Sequence, residues 1–209
     1  MASCGDVMTK RVILASNNKG KLAEMSAILA PLGLVLETQS TYGVTEADEP
    51  YLTFIENALT KARHAARSTG LPALADDSGL CVNALGGAPG VISARYAGEP
   101  KSDARNNQKL LQDLATFQDK SAYYYCVCVF VRYADDPQPI IAQGRWDGEI
   151  CAEPRGTGGF GYDPLFLLPD LGKTAAELLP DEKNQRSHRG QALTQLLAQL
   201  SPQMVQQWR

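Results

Sequence analysis

Histidine, paired cysteine motifs and runs of basic residues are scarce in this sequence. Its only histidines are His64 and His188, so a three-histidine zinc site is excluded and a serine triad would need one of these two. The 20 Lys and Arg residues are outnumbered by 23 Asp and Glu, which gives a net charge of −3. Because a polynucleotide binder must neutralise many phosphates at once, we expect no polynucleotide partner, although a few lysines can still bind one small anion.

Long apolar stretches are also absent. No stretch approaches the roughly 20 residues that a membrane helix needs, and residues 1–10 lack the apolar segment of a secretory signal. The five cysteines are an odd number without a C-x-x-C pair, which favours a reducing compartment. Cys126 and Cys128 stand in an apolar run and are predicted to be core residues on one face of a strand. We therefore expect a cytoplasmic protein that contacts no membrane.

The sequence does not support three common phosphate-binding or hydrolase motifs. Residues 156–161 match G-x-G-x-x-G, but Tyr-Asp-Pro and an apolar run follow them where a dinucleotide site requires a helix. The segment 172–174 has the Gly-Lys-Thr end of a Walker A loop, but Leu167 occupies the place of its first glycine. There is no G-x-S-x-G elbow. The glycines of 156–161 are instead predicted to build a tight turn.

Strand and helix patterns alternate along the chain, which predicts an α/β fold with a mixed sheet. Apolar runs predict strands at 12–15, 34–36, 72–75, 80–82, 123–133 and 165–168, and one or two strands within 140–150. Helical spacing predicts helices from Lys21 to near Pro31 and Gly33, at 55–66, at 104–116 and in the last forty residues. The length suits a single domain, 1–209, with 1–9 as an N-terminal extension and room for two lobes around a cleft.

The helix predicted at 55–66 is strongly amphipathic. Its apolar face would carry Ile55, Leu59, Ala62 and Ala66. Its opposite stripe would carry Thr53, Asn57, Lys61 and His64.

Residues 16–21 lie between a predicted strand and a predicted helix. Backbone N–H groups at a helix N-terminus, a glycine that permits close approach and two lysines form a compact anion site. A capped helix with solvated lysines fits this segment equally well. Its residues are Ser16, Asn17, Asn18, Lys19, Gly20 and Lys21.

Residues 76–79, Asp-Asp-Ser-Gly, are predicted to form a loop at the end of an apolar strand. Adjacent strand residues point to opposite sides, so only one of Asp76 and Asp77 is expected to face a given cleft. A carboxylate there can hold Mg²⁺ or accept a proton from water, or it is part of an ordinary acidic turn. The upstream acidic residues, which offer a second metal oxygen or a solvated surface, are Glu46, Asp48 and Glu49.

A third group combines aromatic and cationic residues. Aromatic faces suit stacking on a purine, and His and Arg can donate hydrogen bonds to ring acceptors. Taken singly, these residues also fit core aromatics, a solvated lysine and the surface of a helix capped by Ser187. The group consists of Phe160, Gly161, Tyr162, Asp163, Lys183, His188 and Arg189.

Six motifs occur in order: S-N-N-x-G-K, T-F-x-E-N-A-x-x-K-A, A-D-D-S-G-L, L-G-G-A-P-G, G-T-G-G-F-G-Y-D-P and S-H-R-G-Q-A-L. With them, the sequence resembles the inosine/xanthosine triphosphate pyrophosphatase family from about Val12 to Leu197. The resemblance implies an elongated mixed β-sheet flanked by helices, with two lobes around an active-site cleft, usually in a homodimer. It also implies Mg²⁺-dependent hydrolysis of ITP, dITP and XTP to the monophosphate and pyrophosphate, which cleanses the nucleotide pool and keeps these nucleotides out of DNA and RNA.

The resemblance also implies residue roles. Residues 16–21 match the phosphate loop, although the family often has Thr where Ser16 stands. Asp77 matches the proton acceptor and metal ligand, and Ser78 matches a substrate contact. Glu49 is the preferred second metal ligand, ahead of Glu46. The remaining substrate-binding positions match Phe160, Gly161, Tyr162, Asp163, Lys183, His188 and Arg189. The lysines available to neutralise a triphosphate are Lys19, Lys21, Lys61 and Lys183.

Two other functions are considered. One is a different nucleotide pyrophosphatase specificity, as in the Maf-like enzymes that act on modified pyrimidine or methylated nucleotides. The S-H-R and F-G-Y-D segments argue against it. The other is a non-hydrolytic nucleotide sensor, which would have no need of the carboxylate at Asp77 to activate water.

Overall fold

The computed structural model describes residues 10–30 and 33–200. The predicted helix end at Pro31 and the predicted extension 1–9 lie outside the described residues. The strands in the described ranges are β1 (Lys10–Leu14), β2 (Leu34–Thr38), β3 (Ala73–Val82), β4 (Ser121–Val131), β5 (Ile140–Ile150), β6 (Phe166–Leu168) and β7 (Lys173–Thr174). The α-helices are α1 (Lys19–Leu29), α2 (Phe54–Thr69), α3 (Asp103–Leu114), α4 (Pro180–Arg186) and α5 (His188–Gln199). None of them is long and apolar enough to cross a membrane.

The seven strands form one mixed sheet in the order β2–β1–β3–β4–β5–β6–β7. β1 runs parallel to β2 and β3, and the pairs from β3 to β7 are antiparallel. The long apolar run at 123–133 forms β4, which lies between β3 and β5. Its residues from Cys126 to Val131 are all buried because helices cover both of its faces there. The predicted α/β class with a mixed, helix-flanked sheet is confirmed.

Helices cover both faces of the sheet near β1. On one face α1 and α5 pack on an apolar cluster that includes both predicted core cysteines, Cys126 and Cys128, whose sulfurs are 3.8 Å apart. On the other face α2 packs through small side chains, which allow its backbone to lie close to the sheet. This second cluster includes Ala58, Ala62, Ala65, Ala75, Val127 and Val129.

A third apolar cluster lies in the other half of the fold. It joins α3 to β5 and β6 through Leu110, Leu114, Trp146 and Phe166. The cavity described below is lined both by Ala15, from the cluster under α2, and by Leu80, Tyr124 and Tyr162, from this third cluster. The cavity thus lies between two apolar clusters, which agrees with the predicted cleft between two lobes.

The predicted loop at 76–79 is wrong. β3 continues through it, in unbroken register with β4 from Ala73 opposite Val131 to Val82 opposite Ala122. Gly79 serves close packing and not a turn. A Cβ built on it would lie 2.3 Å from the carbonyl oxygen of Gly90, in the short 3₁₀ helix Gly90–Arg95 that packs on β3.

The predicted faces of α2 also need correction. Ala62 and Ala66 are buried as expected, but Ile55 is 38% exposed at the start of the helix. From the predicted polar stripe, Asn57 is 1% exposed and its amide hydrogen-bonds the backbone N–H and carbonyl of Tyr51. The buried face therefore follows the alanines and includes Asn57, and Lys61 of the same predicted stripe lines the cavity described next.

Candidate active site

A cavity of about 870 Å³ opens where β3, α1, α2 and α5 meet. It brings together every predicted site residue except Lys19 and Gly20. The predicted residues on its wall are Ser16, Asn17, Asn18, Lys21, Glu49, Asp77, Ser78, Phe160, Gly161, Tyr162, Asp163, Lys183, His188 and Arg189.

Asp77 and Glu49 share one ammonium group on the α2 side of β3. Lys61 Nζ lies 2.8 Å from Asp77 Oδ1 and 2.5 Å from Glu49 Oε1. The other oxygen of Asp77, Oδ2, is buried and has no hydrogen-bond partner among the described residues. Burial raises the pKa of Asp77, and the nearby Lys61 offsets this only in part. Asp77, a residue of the cavity wall, thus combines an unpaired carboxylate oxygen with a raised pKa.

Glu49 is held in place from two directions. Besides Lys61, Arg95 approaches it, with Nη1 3.5 Å from Glu49 Oε2. Although burial opposes ionisation, Lys61 holds the pKa of Glu49 below its ordinary value. No group of three or more His, Cys, Asp or Glu suited to a metal occurs within residues 10–30 and 33–200. The convergent carboxylates of Glu49 and Asp77, one with an unpaired oxygen, fit a hard cation such as Mg²⁺ whose other ligands are water and phosphate oxygens.

Asp76 occupies the opposite face of β3 and binds two cations. Lys21 Nζ lies 2.9 Å from Asp76 Oδ1, and Arg189 Nη2 lies 3.3 Å from Oδ2. Ser78 donates a hydrogen bond to the same Oδ2 at 3.1 Å. Although burial raises it, Lys21 and Arg189 hold the pKa of Asp76 well below its usual range. Asp76 is therefore an ionised anchor for Lys21 and Arg189.

Both adjacent aspartates nevertheless line the cavity, so the expectation that only one faces it is wrong. The reason is the end of β1. It pairs with β3 only at Ala73 and Leu74, so in the described structure residues 76–78 have a strand neighbour, β4, on one side only. The cavity reaches both faces of the sheet around this open edge.

The segment 16–21 is a capped helix start. Asn18 Oδ1 accepts hydrogen bonds from the backbone N–H groups of Gly20 at 2.8 Å and Lys21 at 3.1 Å. Ser16 Oγ accepts one from Asn18 N at 3.2 Å. Lys21 points to Asp76, whereas Lys19 is exposed outside the cavity wall. The structure therefore shows the helix cap, and anion binding by this segment stays a prediction.

Asp163 organises the aromatic segment. Its Oδ2 accepts hydrogen bonds from Lys183 Nζ at 2.7 Å and from Phe160 N at 2.9 Å, and its Oδ1 accepts one from Tyr124 at 3.2 Å. Asp163 is buried, and Phe160 is 39% exposed. Lys183 Nζ lies 4.8 Å from the centroid of that ring, so Asp163 fixes a cation next to an exposed aromatic face.

The neighbouring peptide is clamped by α3. Gly161 N donates to Asp103 Oδ2 and Gly161 O accepts from Asn107 Nδ2, both at 2.8 Å. Tyr162 is buried, and its hydroxyl donates to the Ser93 carbonyl at 2.8 Å. These contacts set the position of the Phe160 turn, where, as predicted, no helix begins.

The start of α5 places His188 and Arg189 at the cavity. Gly144 of β5 makes this possible, because a Cβ there would lie 1.9 Å from the His188 carbonyl oxygen. Ser187 caps the helix by accepting from Gly190 N, as predicted. His188 is buried, and its Nδ1 has no hydrogen-bond partner in the described ranges. Burial and the adjacent Arg189 lower the pKa of His188 well below its usual value, so the imidazole is neutral.

Sequence reasoning gave no cavity role to several residues that the structure places in or beside the site. Arg95 lies outside every predicted helix and strand, and Tyr124 belongs to the run 123–133, which is predicted only as a strand. Asp103 and Asn107 lie on a helix with no motif of their own. A motif within one short segment cannot identify such residues, because the residues that they hydrogen-bond are about 40 to 60 positions away in the sequence.

The fold and the site together define a class of protein. Carboxylates, lysines and an exposed aromatic ring converge in one cavity of a mixed α/β sheet, which is typical of a protein that binds a phosphorylated nucleotide. Comparison with known sequences is consistent with this class and more specific. The model of the Ham1 family matches residues 12–199, and the chain belongs to that family.

Similar proteins cover nearly the whole chain. A dITP/XTP pyrophosphatase of Nitrosomonas europaea is 65% identical over 191 residues, 91% of this chain and 94% of that protein. A dITP/XTP pyrophosphatase of Ralstonia nicotianae is 65% identical over 194 residues, 91% and 96% of the two chains. The solved structure of a HAM1 protein from Coxiella burnetii has a TM-score of 0.86 at 51% identity, covering 91% of this chain and all of that one.

Proposed function

We propose that this chain hydrolyses the non-canonical purine nucleotides ITP, dITP and XTP to the nucleoside monophosphate and pyrophosphate, and so removes them from the nucleotide pool before they enter DNA or RNA. Relatives named dITP/XTP pyrophosphatase, at up to 65% identity, support this substrate class. The observation that carries the proposal is the unpaired Oδ2 of Asp77, in a cavity that also holds cations and an exposed aromatic ring.

Charge neutralisation is the first requirement. A triphosphate carries about four negative charges, which repel an attacking water unless cations lie close by. Lys21, Lys61 and Lys183 reach the cavity wall from three different helices, and Arg189 adds a fourth cation. Each of them is paired with a carboxylate, which holds it in place before the substrate arrives.

Asp77 is suited to activate the water. Lys61 holds Oδ1, which leaves Oδ2 to accept the proton. The water oxygen then forms a bond to the α-phosphorus, and the bond from that phosphorus to the bridging oxygen breaks. Pyrophosphate leaves with the electron pair of that bond, and the proton of the water passes to Asp77.

Mg²⁺ is the metal that we propose for this site, held by Asp77 and Glu49. When bound, it would supply Lewis-acid stabilisation of the negative charge on the phosphates. Both ligands are oxygen donors that Mg²⁺ prefers, and both lie within reach of the one Lys61 ammonium.

Base recognition falls to Phe160, His188 and Arg189. The exposed Phe160 ring offers a stacking surface for a purine. Hypoxanthine and xanthine carry a 6-oxo acceptor where adenine carries a 6-amino donor. A buried donor aimed at that position would be left unpaired by ATP, and an unpaired buried donor can cost about 1–3 kcal/mol.

The product assay tests this function. The protein is incubated with Mg²⁺ and a panel of nucleoside triphosphates, and pyrophosphate, orthophosphate and nucleotide products are measured. We expect ITP, dITP and XTP to yield the monophosphate and pyrophosphate in one step. Release of orthophosphate with IDP would place the broken bond elsewhere, hydrolysis of pyrimidine nucleotides instead would favour the Maf-like specificity, and binding without turnover would favour a sensor.

Further proposals concern the whole protein. One sheet runs through the fold, which supports a single domain over 1–209. The four described cysteines are free, and a cytoplasmic location would suit both these thiols and the nucleotide substrate. A homodimer is also proposed from the family resemblance, and light scattering coupled to size-exclusion chromatography would measure it.

A further inference from the structure

Tyr124 lies on the cavity wall but takes no part in the steps proposed above. It lies in the first half of β4, opposite Leu80 of β3 and Trp146 of β5. Its side chain is buried, and it contacts His188 and Asp163, two other residues of the cavity wall.

The first contact is a parallel stack with His188. The two ring centroids are 4.7 Å apart and the planes differ by 9°. Rotation of the imidazole out of this plane would push one edge of it against the phenol face. Phe166, whose ring centroid lies 4.5 Å from that of Tyr124, supports the phenol ring and is itself fully buried.

The orientation of the His188 ring sets the direction in which its Nδ1 can form a hydrogen bond. This atom is buried and lacks a hydrogen-bond partner in the structure described here. A ring nitrogen donates or accepts in the plane of its ring, so whatever fixes that plane also fixes the direction of the hydrogen bond that Nδ1 can offer. The Tyr124 ring stacks on the imidazole and so restricts its plane.

The second contact uses the hydroxyl. Tyr124 donates to Asp163 Oδ1, while Asp163 Oδ2 accepts from Lys183 and from the backbone of Phe160. The hydroxyl therefore gives the Asp163 carboxylate one of the three hydrogen bonds that it accepts within the described residues, and this contact is longer than the other two. The stack and the hydroxyl can be separated by substitution.

We propose that Tyr124 is a positioning residue for purine selectivity, whose ring holds the imidazole of His188 in the orientation that distinguishes a 6-oxo from a 6-amino purine. This proposal rests on the proposed function. It assigns the effect to the stacked ring and not to the hydroxyl, because the ring contacts His188 directly.

The experiment compares kcat and KM for ITP and ATP in four variants of the full chain. Tyr124→Leu and Tyr124→Met remove the ring, and the second keeps a long apolar side chain in case the first does not fold. Tyr124→Phe keeps the ring and removes the hydroxyl. Phe130→Leu is the control for general loss of packing, because Phe130 is fully buried in the cluster under α1 and α5. Thermal unfolding is recorded for all four.

Tyr124→Leu and Tyr124→Met are expected to lower the ITP-to-ATP ratio of kcat/KM by about tenfold, mainly through a higher KM for ITP. Tyr124→Phe and Phe130→Leu are expected to keep the ratio within about twofold. An unchanged ratio without the ring overturns the proposal. An equal fall of the ratio in Tyr124→Phe also overturns it, because the effect would then come from the hydroxyl and Asp163. An equal fall in Phe130→Leu overturns it too, because the effect would then follow from lost stability. If the wild-type chain does not convert ITP to IMP and pyrophosphate, the proposed function itself fails.

Discussion

Lys61 binds one oxygen of Asp77 and leaves the other unpaired. The ammonium is 2.8 Å from Oδ1, and Oδ2 has no partner in the described chain. The two aspartates of β3 thus differ in their electrostatics. Burial raises the pKa of Asp77, whereas Lys21 and Arg189 lower that of Asp76 despite its burial. Negative charge is therefore unfavourable for folding at Asp77 and favourable at Asp76, and this difference can be measured.

The first prediction separates chemistry from stability at these two residues. Asp77→Asn should lower kcat by at least about 10²-fold, because it removes the proton acceptor and a metal ligand. It should leave the melting temperature unchanged or higher, since a buried charge of raised pKa is replaced by a neutral side chain of the same shape. Steady-state kinetics and calorimetry check both parts.

Asp76→Asn is the matched control. It should lower the free energy of unfolding by about 3 kcal/mol, because Arg189 and Lys21 lose the charge that compensates their burial. Its kcat should fall less than that of Asp77→Asn. A stable, inactive Asp76→Asn beside a nearly active Asp77→Asn would show that the roles of the two faces of β3 are exchanged.

The sequence allowed much of this site to be predicted, and the exceptions have physical causes. The family resemblance pointed to Asp77, Glu49 and Lys183, and all three lie on the cavity wall. It did not show that β3 runs unbroken through 76–79, because a strand next to a cavity edge contains the same Asp, Ser and Gly residues as a turn. It also did not identify Tyr124, since an aromatic residue in a central strand has the same pattern whether it packs only in the core or also against a site histidine.

The second prediction concerns the metal. EDTA should abolish ITP hydrolysis, and added Mg²⁺ should restore it. Glu49→Gln should raise the Mg²⁺ concentration required for half-maximal activity by about tenfold or more, because one charged oxygen ligand is lost. Glu46→Gln is the control, since Glu46 also lines the cavity. A larger effect of Glu46→Gln would assign the second ligand to that residue, and activity that persists in EDTA would remove the metal from the mechanism.

The third prediction concerns acid stability. In the folded chain the pKa of His188 is held well below the ordinary value of 6.5 by burial and Arg189. Below about pH 6.5 the unfolded chain therefore binds a proton at this residue while the folded chain does not, so stability is lost as the pH falls. Between pH 7.5 and 5.5, the free energy of unfolding should therefore fall by about 1 kcal/mol less in His188→Gln than in the wild-type chain, as measured by urea unfolding. The control is His64→Gln, at a partly exposed histidine on α2, and an equal effect there would contradict the assignment.

The last prediction tests whether Arg189 contributes to base selection or only balances charge. Its guanidinium contacts Asp76 and Ser78 and lies 5.8 Å from the centroid of the Phe160 ring, so it stands between the β3 anion and the stacking surface. If it donates to a 6-oxo group, Arg189→Ala should lower kcat/KM for ITP more than for ATP and narrow their ratio by about tenfold, or roughly 1.4 kcal/mol. Lys21→Ala is the matched control because Lys21 is the other cation on Asp76. This substitution should lower kcat/KM for ITP and for ATP equally. Kinetics with ITP, XTP and ATP on both variants decide the question. An unchanged ratio in Arg189→Ala would assign selectivity to His188 and the Phe160 turn, and would leave Arg189 as the counter-charge of Asp76.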